Sequence, residues 1–352
     1  AGWTISAAHT DSPGWRIKAE TQKRPQPGIL RVGTEIYGSP IHATWFDRPL
    51  AVAGRVFIKG PDGRPVGHLV QSEACAAFPN VAIHYNREAN KGLVYDLSEH
   101  LSLLIAVSGA ATVESWLCQK YRWDPHDWLS ADLFAVEPSG LKPWGTNGFF
   151  MAPRIDNLTG CHAAQEALLA VSRSRSPQTR ALVCFDNEEI GSASWTGADS
   201  SWFRGLMERV ILAAGGSKED RFRSASRSFI VSVDSAHGRH PNWSPLHDEA
   251  YSPWLGGGPV IKRSAKVSYS TSAATEALVL AAAQTAGIAL QTYVMKSTLT
   301  PGSTVGPLLG QQTGIQGIDV GIPLLAMHSA VETAHGADQS AMIQLLQALY
   351  RG

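Results

Sequence analysis

The segment Cys184-Phe185-Asp186-Asn187-Glu188-Glu189-Ile190-Gly191-Ser192 places two glutamates directly after the apolar run Ala181-Leu182-Val183. Two charges that close to a buried strand are costly unless they are paired or bound to metal. Adjacent carboxylates can divide the work of a hydrolytic metal site. One ligates the ion and its neighbour takes a proton from the attacking water. Taken alone, the pair would also fit a solvated acidic turn.

The rest of the chain repeats this grammar of an apolar run followed by a ligand-type residue. Trp3-Thr4-Ile5-Ser6-Ala7-Ala8 leads into His9-Thr10-Asp11-Ser12-Pro13. Phe229-Ile230-Val231-Ser232-Val233 leads into Asp234-Ser235-Ala236-His237-Gly238. Pro323-Leu324-Leu325-Ala326-Met327 leads into His328-Ser329. Pro153-Arg154-Ile155-Asp156-Asn157-Leu158 sets an aspartate before a helix-like stretch, where it would otherwise serve as an N-cap. Ligands of open α/β sheets gather at the carboxyl ends of strands. Dispersed His, Asp, Glu, Asp and His residues at such ends would assemble into one site. Imidazole and carboxylate without thiolate suit a catalytic zinc, or cobalt or manganese, better than a structural zinc.

The segments HTDSP, RIDN, DNEEIGS, VSVDSAHG and AMHS, in that order, resemble the aspartyl aminopeptidase family of dinuclear-zinc metalloaminopeptidases. WFDRPLAVAGRV (residues 45–56), NVAIHYNRE (80–88), GGPVIK (257–262) and GSTVGPLL (302–309) extend the likeness over essentially the whole chain. The resemblance implies an α/β/α zinc-exopeptidase catalytic domain with an inserted β-rich oligomerisation domain. It implies two zinc ions per subunit. Asp156 would bridge them, His9 and Asp234 would complete one, and Glu189 and His328 the other. Glu188 and Asp11 would be the catalytic carboxylates. Glu188 would act as general base and then as acid to the leaving amine. Asp11 would hydrogen-bond His9 and fix its tautomer, although an aspartate there could also cap a turn.

The same resemblance places Lys262 near the pocket for the first side chain, where it would pair with an Asp or Glu of a peptide. The following Arg263-Ser264-Ala265-Lys266-Val267-Ser268-Tyr269 departs from the commonest family pattern by two extra basic residues and an interposed valine. That leaves room for a leucine-type preference. His84, in Val81-Ala82-Ile83-His84-Tyr85, matches a position that contacts substrate in a neighbouring subunit; by itself it would read as a core histidine. His240, within His237-Gly238-Arg239-His240-Pro241, is expected near the substrate channel. The implied assembly is a homo-oligomer, a dodecamer built from dimers. The resemblance also implies a further N-terminal stretch of helix and strands ahead of His9.

Elements must bring these residues together. Residues 1–20 read as a strand and an active-site loop, and 21–35, with Pro25, Pro27, Gly28 and Gly33, as a crossing to another lobe. Strand-like pieces then alternate with turns to about residue 108. Among them 53–59 and 65–70 read as a hairpin around Gly60-Pro61-Asp62-Gly63-Arg64. A short helix is expected over 110–121 and a strand over 131–136. Beyond Pro153, helices are expected over 158–173, 200–214, 272–286 and 337–350, and a strand over 288–295. Because His9 must reach Asp156 and His328, residues 1–20 and 151–352 form one catalytic domain. Residues 21–150 form the insert.

Composition narrows the function classes. Thirty Lys and Arg balance thirty Asp and Glu, so no global basic field favours nucleic acid or an anionic membrane. No apolar run reaches the roughly 18 residues of a membrane span. No secretory-signal pattern opens the chain. Four cysteines without CxxC spacing read as reduced, mostly buried thiols of a cytoplasmic protein. The competing functions are a neutral-residue aminopeptidase, another dinuclear metal amidohydrolase, and a non-catalytic oligomeric scaffold. The scaffold predicts damaged ligands, and none of the site positions is damaged.

Overall fold

The structure is a computed structural model that describes residues 1–92, 94–97 and 100–352. It divides into two compact units. The first comprises Ala1–Ser12, Leu141–Met327 and Glu332–Gly352, and the second Pro13–Gly140 and His328–Val331.

The first unit is a mixed α/β domain. Its six-stranded sheet runs in the order Thr179–Phe185, Trp3–His9, Phe229–Val233, Gln316–Gly321, Val260–Arg263, Gln291–Val294. The first four strands are mutually parallel, and Val260–Arg263 is antiparallel to Gln316–Gly321. The Trp3–His9 strand is buried at every position and Phe229–Val233 at all but its first, which explains their near-continuous apolar sequences, whereas the edge strand Thr179–Phe185 is buried only at Val183 and Phe185. Helix Ile155–Val171 covers one face. There Ala163, Ala164 and Ala167 pack with Val231, Ile318 and the C-terminal helix residues Met342, Leu345 and Leu346. Helix Trp202–Ala213 covers the other face through Phe203 and Met207 against Val183 and Phe185.

Local signals set the helix ends. Ser272 and Thr275 form a capping box for Ala273–Ala286, and Gly287 stops it in a left-handed turn (φ 67). Helices Lys218–Ala225 and Val305–Thr313 were not expected from apolar spacing. The first is short and polar, and the second carries Gly306, Pro307 and Gly310.

The second unit is an antiparallel sheet of seven strands in the order Pro65–Gln71, Ala51–Lys59, Trp128–Val136, Gly14–Gln26, Ile29–Tyr37, Leu103–Ala106, Ala76–Ala77. Its core surrounds Trp15, Leu50, Leu103 and Leu117, the last from helix Val113–Tyr121. The expected hairpin forms in register, with Lys59 opposite Pro65. The reading of 21–35 as a crossing is corrected. Gly14–Gln26 and Ile29–Tyr37 are paired strands, and Pro27-Gly28 is their turn, with Gly28 at φ 78. The changes of unit fall at Ser12/Pro13, Gly140/Leu141, Met327/His328 and Val331/Glu332. Proline marked a turn here because it lies at the tip of an exposed ribbon. The strand-like reading also fails over the described part of 79–100, which is turns and irregular chain.

Candidate metal centre

Three neighbouring parallel strands deliver ligand-type side chains to one edge of the sheet. Thr179–Phe185, Trp3–His9 and Phe229–Val233 lie side by side and point the same way. His9 is the last residue of its strand, Asp234 directly follows the third, and Glu188 and Glu189 stand on a one-turn 3-10 helix just past Phe185. Asp156 arrives from a different element. It follows the strand Phe149–Ala152 and enters the helix Ile155–Val171 with non-helical φ/ψ, so it is not the N-cap; Arg154 holds that position in a left-handed conformation.

The His9 ring is buried, and its Nε2 lies 3.4 Å from Asp156 Oδ1, 3.4 Å from Asp234 Oδ1 and 4.0 Å from Glu188 Oε2. Its Nδ1 lies 3.0 Å from the backbone carbonyl oxygen of Asp11. Donation there puts the ring's lone pair on Nε2, facing the carboxylates. His9 with Asp156 and Asp234, and His9 with Glu188 and Glu189, form two groups whose donor atoms lie within 4.8 Å of one another. Tetrahedral zinc with arms of about 2.0–2.1 Å has edges of roughly 3.4 Å. The two 3.4 Å separations therefore match ligands of one such ion. The donor set of imidazole nitrogen and carboxylate oxygens fits zinc.

Electrostatics point the same way. Burial pushes Glu188 up to about 8, assisted by the charges of Asp234 and Asp156 and opposed by His9. Burial pushes Glu189 up to about 10, with Asp156 and Glu188 adding to it. Burial favours neutral His9, but bonds to Asp11, Asp156 and Asp234 outweigh it and raise its pKa. Burial likewise favours a neutral Asp234, yet Lys262 and His9 hold its pKa well below the usual range. Excess negative charge is thus concentrated around one imidazole, and divalent cations would replace the protons it otherwise collects.

Asp11 does more than orient His9. Its carboxylate accepts the backbone N–H of Glu188 at Oδ1 and of Glu189 at Oδ2, both at 3.1 Å. Its side chain thus caps the Glu188–Glu189 turn while its backbone carbonyl faces His9 Nδ1. Sequence reading missed Glu332, a buried carboxylate that accepts the backbone N–H of Asp156 at 3.0 Å. It also missed Asn157, whose Nδ2 donates to the Val233 carbonyl at 2.7 Å and ties the Asp156 turn to the strand bearing Asp234. Neither residue follows an apolar run in a recognisable way, so spacing offered no signal.

The remaining expected residues are placed differently. Lys262 is buried, with Nζ 3.0 Å from Asp234 Oδ2 and 3.1 Å from the Ser235 carbonyl. Its charge faces the aspartate that also faces His9. The extra basic Arg263 forms a forked ion pair with Glu276. His240 is seated in its own loop, accepting from Asn242 N–H and donating its backbone N–H to His247 Nε2. In the second unit His84 is exposed in a turn, which removes the core reading. His328 belongs to that unit too, on a left-handed residue (φ 68), with Nδ1 3.1 Å from the Ser39 carbonyl. The proton is then on Nδ1 and the lone pair on Nε2, the form a metal ligand needs. His328 follows no strand of the main sheet, unlike His9 and Asp234.

Comparison with known proteins agrees with this chemistry. The family model for aminopeptidase I zinc metalloproteases (M18) matches residues 1–350. The chain is 36% identical over 347 residues to a probable M18 family aminopeptidase 2 of Borreliella burgdorferi, covering 98% of this chain and 80% of that protein. Its fold superposes with TM-score 0.94 on a chain of the solved Ape4 and Nbr1 complex, at 32% identity, covering 99% of this chain and 71% of that one. It also superposes on the S. cerevisiae mApe1 dodecamer with TM-score 0.81 at 21% identity, covering 99% and 79%. The chain belongs to the peptidase M18 family of aminopeptidase I zinc metalloproteases and is a zinc-dependent aminopeptidase.

Proposed function

We propose that the chain hydrolyses the N-terminal residue from peptides with two zinc ions per subunit, and that it prefers Asp or Glu. The observation that carries the reading is the buried triangle of His9, Asp156 and Asp234, with Glu188 at its margin. Asp156 would bridge, His9 and Asp234 would hold one ion, and Glu189 and His328 the other. The part of His328 rests on the sequence resemblance and on its lone-pair tautomer. Zinc supplies Lewis acidity that acidifies water and polarises the scissile carbonyl, and cobalt or manganese would substitute. Glu188 takes the proton from the attacking water and returns it to the leaving amine. Its carboxylate, 4.0 Å from His9 Nε2 at the margin of the ligand cluster, suits a group that must do both. Asp11 holds the two glutamates in register through their backbone.

Lys262 supports the acidic preference. Its buried ammonium is shared between Asp234, the Ser235 carbonyl and the face of Tyr269, and the N–H not engaged by Asp234 and Ser235 would have to meet a substrate carboxylate. His240 would lie along the substrate channel. His84 would reach the site of a neighbouring subunit, in a homo-oligomer built from dimers into a dodecamer. The fold likeness to a solved dodecamer supports that assembly.

A panel of aminoacyl-nitroanilides with and without chelator tests the reading. The expected result is hydrolysis abolished by chelation, restored by zinc, cobalt or manganese, and about one to two decades faster for Asp or Glu than for Leu, the margin of one charge-assisted hydrogen bond. Faster release of Leu than of Asp would establish the neutral-residue alternative.

A further inference from the structure

Cys161 and Cys184 are far apart in sequence and meet behind the metal-ligand cluster. Cys184 lies opposite Ala8 in the parallel pairing of Thr179–Phe185 with Trp3–His9. Alternation along its strand puts Leu182 and Cys184 on one face and Val183 and Phe185 on the other. Leu182 packs with Ala163, Ala164 and Ala167 of helix Ile155–Val171, whereas Val183 and Phe185 pack with Phe203 and Met207. Cys184 therefore faces the helix that carries Cys161, whose thiol reaches the strand end beside Cys184. The Cys161 thiol also donates to the backbone carbonyl of His9 at 3.0 Å. Both cysteines are free; Cys184 is exposed and Cys161 half-buried. An exposed thiol, a second thiol beside it and a hydrogen bond to the residue bearing the ligand imidazole thus form one chain of contacts.

We propose that Cys161 and Cys184 are a peroxide-sensitive pair whose oxidation to a disulfide disturbs the His9 strand end and lowers zinc occupancy. The ionised sulfur of exposed Cys184 attacks one oxygen of hydrogen peroxide. An S–O bond forms, the O–O bond breaks, and the departing hydroxide takes up a proton as water, leaving a sulfenic acid. Cys161 then gives up its proton, its sulfur attacks the Cys184 sulfur, and the second oxygen leaves as water. Two thiols are oxidised by two electrons and one peroxide is reduced to two waters. A disulfide requires sulfurs at about 2.05 Å, closer than two separate thiols can approach. Closure draws helix and strand end together and removes the S–H that serves the His9 carbonyl. Formation of the bond is independent of the metal assignment, and its effect on zinc rests on His9 being a ligand.

The test uses the zinc-loaded protein exposed to graded hydrogen peroxide, followed by alkylation, non-reducing peptide mapping and zinc analysis. The expected result is a cross-linked peptide joining Cys161 and Cys184, with zinc content and turnover falling several-fold in step and both returning after a dithiol and fresh zinc. Cys184→Ser should keep its zinc at the same dose. Cys161→Ser should leave Cys184 as a sulfenic acid that a dimedone probe captures. Separate alkylated Cys161 and Cys184 at doses that oxidise Cys75 or the methionines would overturn the pair. A cross-link that leaves zinc content unchanged would overturn the coupling to His9. A protein that never held zinc yet forms the cross-link would refute the metal reading and leave the thiol chemistry standing.

Discussion

Glu188 and Glu189 are adjacent, yet their replacement should fail in different ways. Glu188→Gln keeps the side chain's size and removes the base, so it should retain the metals and lose at least ~10²-fold in kcat. Glu189→Ala should instead bind less zinc. Kinetics and metal analysis of the two variants check this, and normal turnover in Glu188→Gln would mean the roles are misassigned. Asp11→Ala should act through both neighbours. It removes two charge-assisted bonds to the Glu188–Glu189 turn and should weaken zinc affinity about 10–100-fold, the usual scale for groups that orient ligands. Competitive zinc titration measures it, and unchanged affinity would show that the turn stands without Asp11. Lys262→Met carries two effects. It would remove the proposed substrate contact and also strips buried Asp234 of its cation, a change of about 3–5 kcal/mol for a buried pair. Preference is therefore better read from the unmutated protein.

At the scale of elements, the site depends on how closely two strand ends approach. A Cβ on Gly321 would lie 1.8 Å from the Asp234 carbonyl oxygen, in backbone that a side-chain rotation cannot relieve. Gly321→Ala should therefore displace Asp234 and lower both thermal stability and zinc binding, readable by calorimetry and metal analysis together. Loss of neither would mean the strands separate without cost. His9 and Asp234 were legible in the sequence because buried parallel strands leave near-continuous apolar runs, and the first polar residue after each run is the one at the sheet edge; Glu188 and Glu189 were legible as an adjacent pair just past such a run. Asp156 was legible only through its motif, since it enters from a turn before a helix. Glu332 and Asn157 were not legible, because they hold backbone groups of other residues, and such pairing leaves no local pattern. Pro27-Gly28 was misread because the same two residues serve an interlobe crossing and a ribbon tip equally well. Helix Val305–Thr313 was missed because glycines and a proline mask its apolar face.

For the whole molecule, the clustered charges predict how stability depends on pH. Glu188 and Glu189 have folded pKa values raised to about 8 and about 10, so in metal-free protein they oppose folding once pH exceeds their unfolded values. His9, also raised, contributes stability at low pH that is lost as pH climbs through its folded value. Both trends have the same sign. Chelated protein should have a lower Tm at pH 9 than at pH 6, and zinc should narrow the gap because it replaces the protons. A gap unchanged by zinc would place the ions elsewhere. The second unit, with exposed Val81, Ile83 and Tyr85 around His84, should mediate self-association. His84→Phe should lower activity without loss of metal, and a fully active monomer in light scattering would reject that part. The central claim is the dinuclear centre itself, and anomalous diffraction at the zinc edge from crystals grown with zinc tests it most directly. Two peaks about 3.5–4 Å apart, one beside His9 Nε2 and Asp234, the other beside Glu189, with Asp156 between them, is the predicted result. Zinc bound at other residues, with these positions empty, would contradict it.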